Sequence, residues 1–204
     1  MKPAAMPKRI FDVTFALLAL AILAPALLIV GLWVVWDSPG PALFRQTRVG
    51  QHGRLFSIYK FRTMQMQAEV MGPAITATAD PRITRAGSWL RRTKVDELPQ
   101  FINVLRGEMS IVGPRPEVPR YVALYPPGLR DTVLSVRPGI TDPASIEFRD
   151  ESVLLSGSAD PERTYVERIL PIKLRLASDY ARSHTFWSDL KIIARTVSAL
   201  WPIK

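Results

Sequence analysis

The chain has 204 residues, and its 27 Lys and Arg against 18 Asp and Glu give a formal net charge of +9, which implies an anionic partner: nucleic acid, lipid headgroups or a phosphorylated small molecule. With no Cys and only 2 His it holds no disulfide framework, thiolate metal site or His-rich metal site, so a bound metal would be a hard, oxygen-ligated ion such as Mg²⁺. The basic residues are spread along the chain without the aromatic interleaving of a single-strand platform or the pattern of a recognition helix, which argues against nucleic acid.

From Val13 to Trp36 run about 24 uncharged residues, more than the ~20 that span a bilayer, with Ala24-Pro25 near the middle. Proline removes a helix hydrogen bond and clashes with the preceding turn. Each half then rises only roughly 16 to 18 Å, about half of a ~30 Å hydrocarbon core. Two topologies stand open on these residues, a kinked helix that crosses and a re-entrant helix-break-helix that returns to its starting side. Lys2, Lys8 and Arg9 precede the run and Arg45, Arg48 and Arg54 follow it, so positive charge draws both ends toward the cytoplasm. A cleaved signal peptide is disfavoured, because the run is too long and ends in Trp33 and Trp36, which suit the headgroup region. The chain divides into a membrane segment at 1–38 and a cytoplasmic domain at 39–204, roughly 165 residues with room for one core.

Asp37-Ser38-Pro39-Gly40-Pro41 is a breaker that starts that domain. Ala42 to Arg48 and Leu55 to Met64 read as two strands around the glycine-bearing turn 49–53, with Ile58, Lys60 and Arg62 on one face of the second and Tyr59 and Phe61 on the other. Met66 to Asp80 has no clear period. Ile83 to Leu90 reads as helix, as does Asp96 to Arg106, with Leu98, Phe101, Ile102 and Leu105 at helical spacing and Gly107 as its stop. Two proline turns, 113–116 and 136–143, each present an arginine around a short helical stretch near Tyr121. Pro161 to Arg182 and Thr185 to Trp201 read as two final helices. The last carries Phe186, Leu190, Ile193, Val197, Leu200 and Trp201 near one stripe, with Lys191, Arg195 and Lys204 close by. That pattern suits either a membrane-surface helix or one packed on the core. The fold class is therefore α+β, a mainly helical domain with a small β-hairpin on an N-terminal membrane segment.

The richest candidate for chemistry is Thr93-Lys94-Val95-Asp96-Glu97-Leu98-Pro99, where adjacent carboxylates open a helix beside Arg91, Arg92 and Lys94. A helix N-terminus favours both a carboxylate and a phosphate near it. The same residues also match a capping box, Thr93 to Asp96, with Pro99 in the first turn. Adjacent carboxylates on a helical turn point about 100° apart, so they cannot face each other as a glycosidase acid and base. One can instead attack phosphorus while the other holds Mg²⁺ or aligns a ligand. Attack on a phosphate by a carboxylate needs cations against like-charge repulsion, and Lys60, Arg91, Arg115 and Arg137 are the candidates. Walker, G-x-G-x-x-G, G-x-S-x-G and HExxH signatures are absent. A membrane-tethered, non-catalytic anion-binding module, in which Asp96 and Glu97 only cap a helix, is the alternative to an enzyme.

Several ordered motifs together resemble the bacterial sugar transferases known as monotopic phosphoglycosyl transferases. They are Lys8-Arg9-Ile10-Phe11-Asp12, Tyr59-Lys60-Phe61-Arg62-Thr63-Met64, Val95-Asp96-Glu97-Leu98-Pro99-Gln100, 103–110, Val112-Gly113-Pro114-Arg115-Pro116 and Arg137-Pro138-Gly139-Ile140-Thr141. The resemblance covers nearly the whole chain and is to the minimal members. It implies a re-entrant helix in the cytoplasmic leaflet of the inner membrane, a UDP-sugar donor and a polyprenol phosphate acceptor. Asp96 would attack the β-phosphate and release UMP, and the lipid phosphate would then take the phosphosugar, initiating membrane glycoconjugate synthesis. Mg²⁺ would sit at Asp96 with Glu97 in support, and Lys60, Arg91 and Arg115 fall on the family's basic positions. Two departures stand out. The membrane break reads Ala24-Pro25 rather than Ser-Pro, so no serine hydroxyl serves a freed carbonyl there. The Pro-Gly-Ile-Thr motif continues into Asp142 to Arg149 rather than the family's Trp-containing sequence, which leaves the sugar undefined and counts Arg149 with Arg137 among the substrate-binding candidates. A homo-oligomer is compatible with the sequence and not required by it.

Overall fold

A computed structural model of the chain describes residues 5–68 and 80–200. Most of the aperiodic segment 66–80 lies outside them, as do Lys2, Trp201 and Lys204.

The apolar run forms helix α1 (Ala5–Asp37), which continues through Pro25 where two half-helices were expected. Proline removes one N–H from the ladder, and packing on both sides of it keeps the same helical phase. Asp12, Ala16, Leu20, Leu27, Val30 and Val34, spaced by three, four or seven residues, face the rest of the molecule. On the opposite side Ile22, Leu28, Ile29, Leu32 and Trp36 are exposed, Trp36 by 87%. Such a continuous exposed apolar stripe is the mark of a surface that meets lipid or protein.

Strands β1 (Leu43–Val49) and β2 (Leu55–Phe61) form the expected antiparallel hairpin, with Arg45 opposite Tyr59. The second strand stops before Arg62, whose buried guanidinium turns onto backbone carbonyls. It donates to Ser38 O at 2.7 Å and to Pro39 O and Pro41 O at 2.8 Å each. Arg62 therefore ties the end of α1 to the hairpin and does not share a site with Lys60. Helix α2 (Arg85–Thr93) follows, N-capped by Thr84 Oγ1 accepting from Gly87 N at 2.9 Å, with Asp37 Oδ2 at the end of α1 accepting from Ala86 N at 2.9 Å.

The stretch expected as one helix from Asp96 is a 3₁₀ segment (Val95–Gln100) that passes into α3 (Phe101–Arg106), stopped by Gly107 at φ 81°. Two short strands the sequence did not announce, β3 (Ser110–Val112) and β4 (Gly139–Thr141), pair in parallel. Between and after them lie α4 (Pro119–Val122), α5 (Pro127–Val133), α6 (Pro143–Glu147) and α7 (Glu151–Ser156). Helix α8 (Pro161–Thr164) runs through a π-helical turn (Tyr165–Ile169) into α9 (Leu170–Ser183), and α10 (Phe186–Leu200) closes the described chain. The result is mainly helical with a small antiparallel hairpin, as the hydrophobic periodicity predicts.

One apolar core joins Ala16 of α1 to Phe56 and Ile58 of β2, Phe101 and Val104 of α3, β3, Tyr180 of α9 and Ile192 of α10. A second packs α4, α5, α7 and α9, and a third seats Val34 on Phe61 and Leu90. Helix α10 buries Asp189 and Ile192 and packs Ile193 on the core, while Val197 is exposed, so only part of the stripe the sequence suggested faces the core.

Residues that read as a membrane flank turn out to be tethers of α1. Lys8 Nζ donates to Val112 O at 3.1 Å and to Asp189 Oδ2 at 2.5 Å. Arg9 donates to Val104 O and Leu105 O in the last turn of α3. Asp12, only 1% exposed, accepts from Ser110 Oγ at 2.8 Å and Ile111 N at 3.1 Å.

Candidate active site

Three chain segments meet at the carboxylate pair. β2 brings Lys60, the 3₁₀ segment brings Asp96 and Glu97, and the turn after β3 brings Arg115. Asn103 sets the first meeting. Fully buried, it accepts from Tyr59 N at 3.0 Å and donates to Ser57 O at 2.7 Å, so its amide pairs with the free edge of β2 beside Lys60. Gly113 and Gly139 set the second. A Cβ on Gly113 would lie 2.3 Å from Arg137 O, and one on Gly139 would lie 2.1 Å from Gly113 N. Only glycines let these backbones approach this closely, which explains why the two proline turns converge. Asp142, 1% exposed, finishes the placement: Oδ1 accepts from Ser145 N at 2.7 Å, capping α6, and Oδ2 accepts from Arg115 N at 3.3 Å.

The two adjacent carboxylates have opposite surroundings. Glu97 takes Lys60 Nζ at 2.7 Å, Arg115 Nη2 at 2.5 Å on the same oxygen, and Arg115 Nη1 at 3.1 Å on the other. Burial alone would raise its pKa, but Arg115 and then Lys60 outweigh that and hold it well below the usual carboxylate range. Glu97 in turn raises the pKa of Arg115. Burial lowers that of Lys60, with Glu97 opposing. Asp96 is 7% exposed and makes no hydrogen bond or ion pair among the described residues, with Oδ1 enclosed and unpartnered. Burial pushes its pKa up, offset in part by Lys60.

The capping-box reading does not hold. Lys94, at φ 60°, occupies the N-cap position, no side chain caps the 3₁₀ segment, and Thr93 Oγ1 donates back to Trp89 O and Leu90 O of α2. Residue 94 in the left-handed region ends α2 and turns Asp96 inward rather than over its own backbone.

Arg91 is held by Nε donating to Thr63 Oγ1 at 2.9 Å, and its terminal nitrogens make no hydrogen bond among the described residues. Its charge acts on Asp96, so Arg91 joins the cluster as an anchored cation with free donors. Arg48, which the sequence marked only as flanking charge, reaches across to Pro116 O at 3.0 Å and pins the Arg115 turn to the hairpin. Arg137 is elsewhere: its Nε donates to Gly107 O at 3.0 Å, beside Arg9 at the end of α3. Arg149 lies in the turn between α6 and α7 and makes no hydrogen bond to the cluster. Ala24 and Pro25 sit exposed within α1 and make no hydrogen bond to the carboxylates. Asp142 was legible as an N-cap followed by proline. Asn103 carried no local signal.

Among the described residues no group of three or more His, Asp or Glu could cage a metal. Mg²⁺ needs no such cage, since it is commonly held by one or two carboxylates together with substrate phosphates. The unpartnered carboxylate of Asp96 fits that donor set, whereas both oxygens of Glu97 are already engaged.

A hairpin and a 3₁₀ turn that gather an unpaired carboxylate among anchored cations, in a chain that carries a long apolar helix, describe an anion-handling site. Over residues 3–202 the sequence matches the profile described as bacterial sugar transferase, and the chain belongs to that family. It is 39% identical over 206 residues to a UDP-glucose:undecaprenyl-phosphate glucose-1-phosphate transferase of Caulobacter vibrioides, covering 95% of this chain and 69% of that protein. It is 41% identical over 198 residues to an undecaprenyl-phosphate glucose phosphotransferase of Komagataeibacter xylinus, covering 94% of this chain but 35% of that protein. With the exopolysaccharide production protein PSS of Rhizobium leguminosarum it shares 41% identity over 201 residues, 93% of this chain and 92% of the relative.

Proposed function

We propose that this chain transfers a sugar-1-phosphate from a UDP-sugar to undecaprenyl phosphate or a similar polyprenol phosphate. The reaction passes through a covalent aspartyl phosphosugar, an acyl phosphate on Asp96, at the cytoplasmic face of the inner membrane. The observation that carries the reading is the contrast between neighbours, Glu97 saturated by Lys60 and Arg115 and Asp96 with no side-chain partner among the described residues. A saturated carboxylate organises cations, while an unpaired, desolvated one is available as a nucleophile.

In the first half-reaction an Asp96 oxygen attacks the sugar-bearing phosphorus. The O–P bond forms as the bond to the bridging oxygen breaks, and UMP leaves with that electron pair. Arg91 and Lys60 offset the charge on the phosphates as it shifts, each aimed by its anchor on Thr63 or Glu97. In the second, an oxygen of the lipid phosphate attacks the same phosphorus, the bond to Asp96 breaks, and the carboxylate returns. Mg²⁺, when bound through Asp96 and the donor phosphates, supplies charge neutralisation at the diphosphate. The product is a polyprenol diphosphate sugar, the first lipid-linked unit of a glycoconjugate.

The packing of α1 supports a monotopic anchor. Its contacts with the domain begin at Lys8 and end at Asp37, and the stretch between Leu20 and Leu27 that lacks core contacts is far shorter than the ~20 residues needed to cross. Both ends then lie on one side of the bilayer, with the exposed apolar stripe in lipid and the carboxylates near the headgroups where the acceptor's phosphate resides.

The experiment is incubation of the membrane-embedded chain with Mg²⁺ and a panel of UDP-sugars. The expected result is UMP release and a phosphosugar mass increase on the peptide containing Asp96, both lost in Asp96→Asn. Turnover by Asp96→Asn equal to wild type overturns the mechanism, and reporters at the two termini on opposite sides overturn the topology.

A further inference from the structure

We propose that the exposed face of α2, formed by Arg85, Trp89 and Arg92, is the docking site for the phosphate end of the polyprenol acceptor. The inference rests on the reaction read above and deepens it by giving the second substrate residues of its own.

Helix α2 has one buried side and one exposed side. Ala86, Gly87 and Leu90 are buried, and Gly87 lies so close to β2's end that a Cβ there would sit 2.0 Å from Thr63 O. Arg85, Ser88, Trp89 and Arg92 follow one another at steps of one, three or four residues on a single helical face, and all are exposed. A solvated face needs only polar side chains. This one also carries an indole, 39% exposed, whose ring meets that of Trp33 on α1 edge to face at 5.6 Å. Trp36, exposed, follows three residues after Trp33, so three of the five tryptophans gather at the last turns of the apolar helix. Tryptophan settles at the headgroup level of a bilayer, where lipid phosphates lie.

The two arginines have no counter-charge within the protein. Neither side chain has a hydrogen-bond, ion-pair or ring partner among the described residues, whereas Arg9, Arg48 and Arg62 are spent on backbone carbonyls and Arg115 on Glu97. Flanking the indole one turn to either side, they suit a ligand with an anionic end and an apolar body. A phosphate monoester carries a charge of about −1.5 to −2 at neutral pH, more than a phospholipid diester, so a pair of guanidiniums favours the monoester.

Helix α2 also joins that face to the carboxylates. Asp37 Oδ2, accepting from Ala86 N at 2.9 Å, ties its start to the end of α1, and its nine residues rise only roughly 13 Å. It ends at Lys94, whose charge acts on Asp96 as that of Arg91 does. A phosphate held by Arg85 and Arg92 is thus about one short helix from the nucleophile, while its prenyl chain lies along the exposed stripe of α1. No bond forms or breaks at this face.

The test measures binding apart from turnover, with the full chain in nanodiscs of neutral lipid. Undecaprenyl phosphate, undecaprenol and phosphatidylglycerol are titrated in turn without any donor, and bound lipid is read by native mass spectrometry. Arg85→Gln with Arg92→Gln should weaken undecaprenyl phosphate about tenfold and leave undecaprenol unchanged. Lysine at both positions should restore most of the affinity, and Trp89→Ser should weaken both prenyl lipids. In turnover, kcat/KM for undecaprenyl phosphate should fall by the same factor in the Gln pair, while kcat/KM for the UDP-sugar holds. Wild-type affinity for undecaprenyl phosphate in the Gln pair overturns the proposal. An equal loss for phosphatidylglycerol also overturns it, since the face would then be a general anionic-lipid surface. If wild type releases no UMP from any donor, the parent reading fails instead, and the binding titrations still decide the face.

Discussion

Replacing Glu97 with Gln removes one negative charge from beneath two cations while leaving the shape of the site. Glu97 holds Lys60 at 2.7 Å and Arg115 at 2.5 and 3.1 Å, and the three side chains are 14%, 16% and 33% exposed respectively. Removing one partner from a buried ion pair costs about 3–5 kcal/mol, because the remaining charge stays desolvated. Partial exposure of Arg115 screens its share, which brings the expected loss to about 2–4 kcal/mol. For a chain of this size that corresponds to a fall in melting temperature of roughly 5–15 °C, measurable by fluorescence or calorimetry in nanodiscs. The pH dependence follows from the depressed pKa of Glu97. Its stabilisation is complete above the ordinary glutamate pKa of about 4.3 and is lost as the pH falls through the lower folded value, so wild type and Glu97→Gln converge only in strong acid. Replacing Lys60, Glu97 and Arg115 together with Met should recover most of the stability, since well-packed apolar residues substitute for buried ion clusters at little cost. UMP release should nonetheless be lost in that triple variant, which lacks Lys60 and Arg115. A Glu97→Gln protein melting within about 1 °C of wild type at neutral pH would refute the ion cluster as described.

Three further outcomes check other parts of the structure. Arg137→Ala should lower stability by about 1 kcal/mol through its lost bond to Gly107 O and leave UMP release near wild type, whereas Lys60→Ala should abolish release; activity assays beside a thermal melt separate the two. Gly113→Ala places a methyl 2.3 Å from Arg137 O, so β3 and β4 must part, and both stability, by roughly 3 kcal/mol or more, and activity should fall. Asp12→Ala leaves Ser110 Oγ and Ile111 N buried without an acceptor, at about 1–3 kcal/mol each, and limited proteolysis should show the start of α1 detaching from β3.

Much of the architecture was legible in local pattern. The hairpin about turn 49–53 and the helix stop at Gly107 follow from alternation and glycine. The two last helices follow from the 3.6-residue period, although the face of α10 that meets the core overlaps the expected stripe only in part. The parallel pair β3 and β4 was hidden because each strand is three residues long, too short for any alternation to register. Lys8 and Arg9 looked like a membrane flank because nothing adjacent to them reveals their partners, which lie about a hundred residues or more away along the chain, as do those of Asp12. Thr93 matched a cap signature that the left-handed Lys94 cancelled.

The sequence by itself determined that this protein carries a long apolar helix on a basic, Cys-free domain, and that two adjacent carboxylates open a turn beside arginines. These are properties of composition and of spacing within one or two helical turns, where side-chain direction repeats regularly. Only the tertiary structure decided which carboxylate is bound and which is left free. That choice depends on Lys60 and Arg115 arriving from separate segments, set by the Asn103 amide and by the close approach of Gly113 to Gly139. Distances between residues far apart in sequence follow from packing, and no local period encodes them.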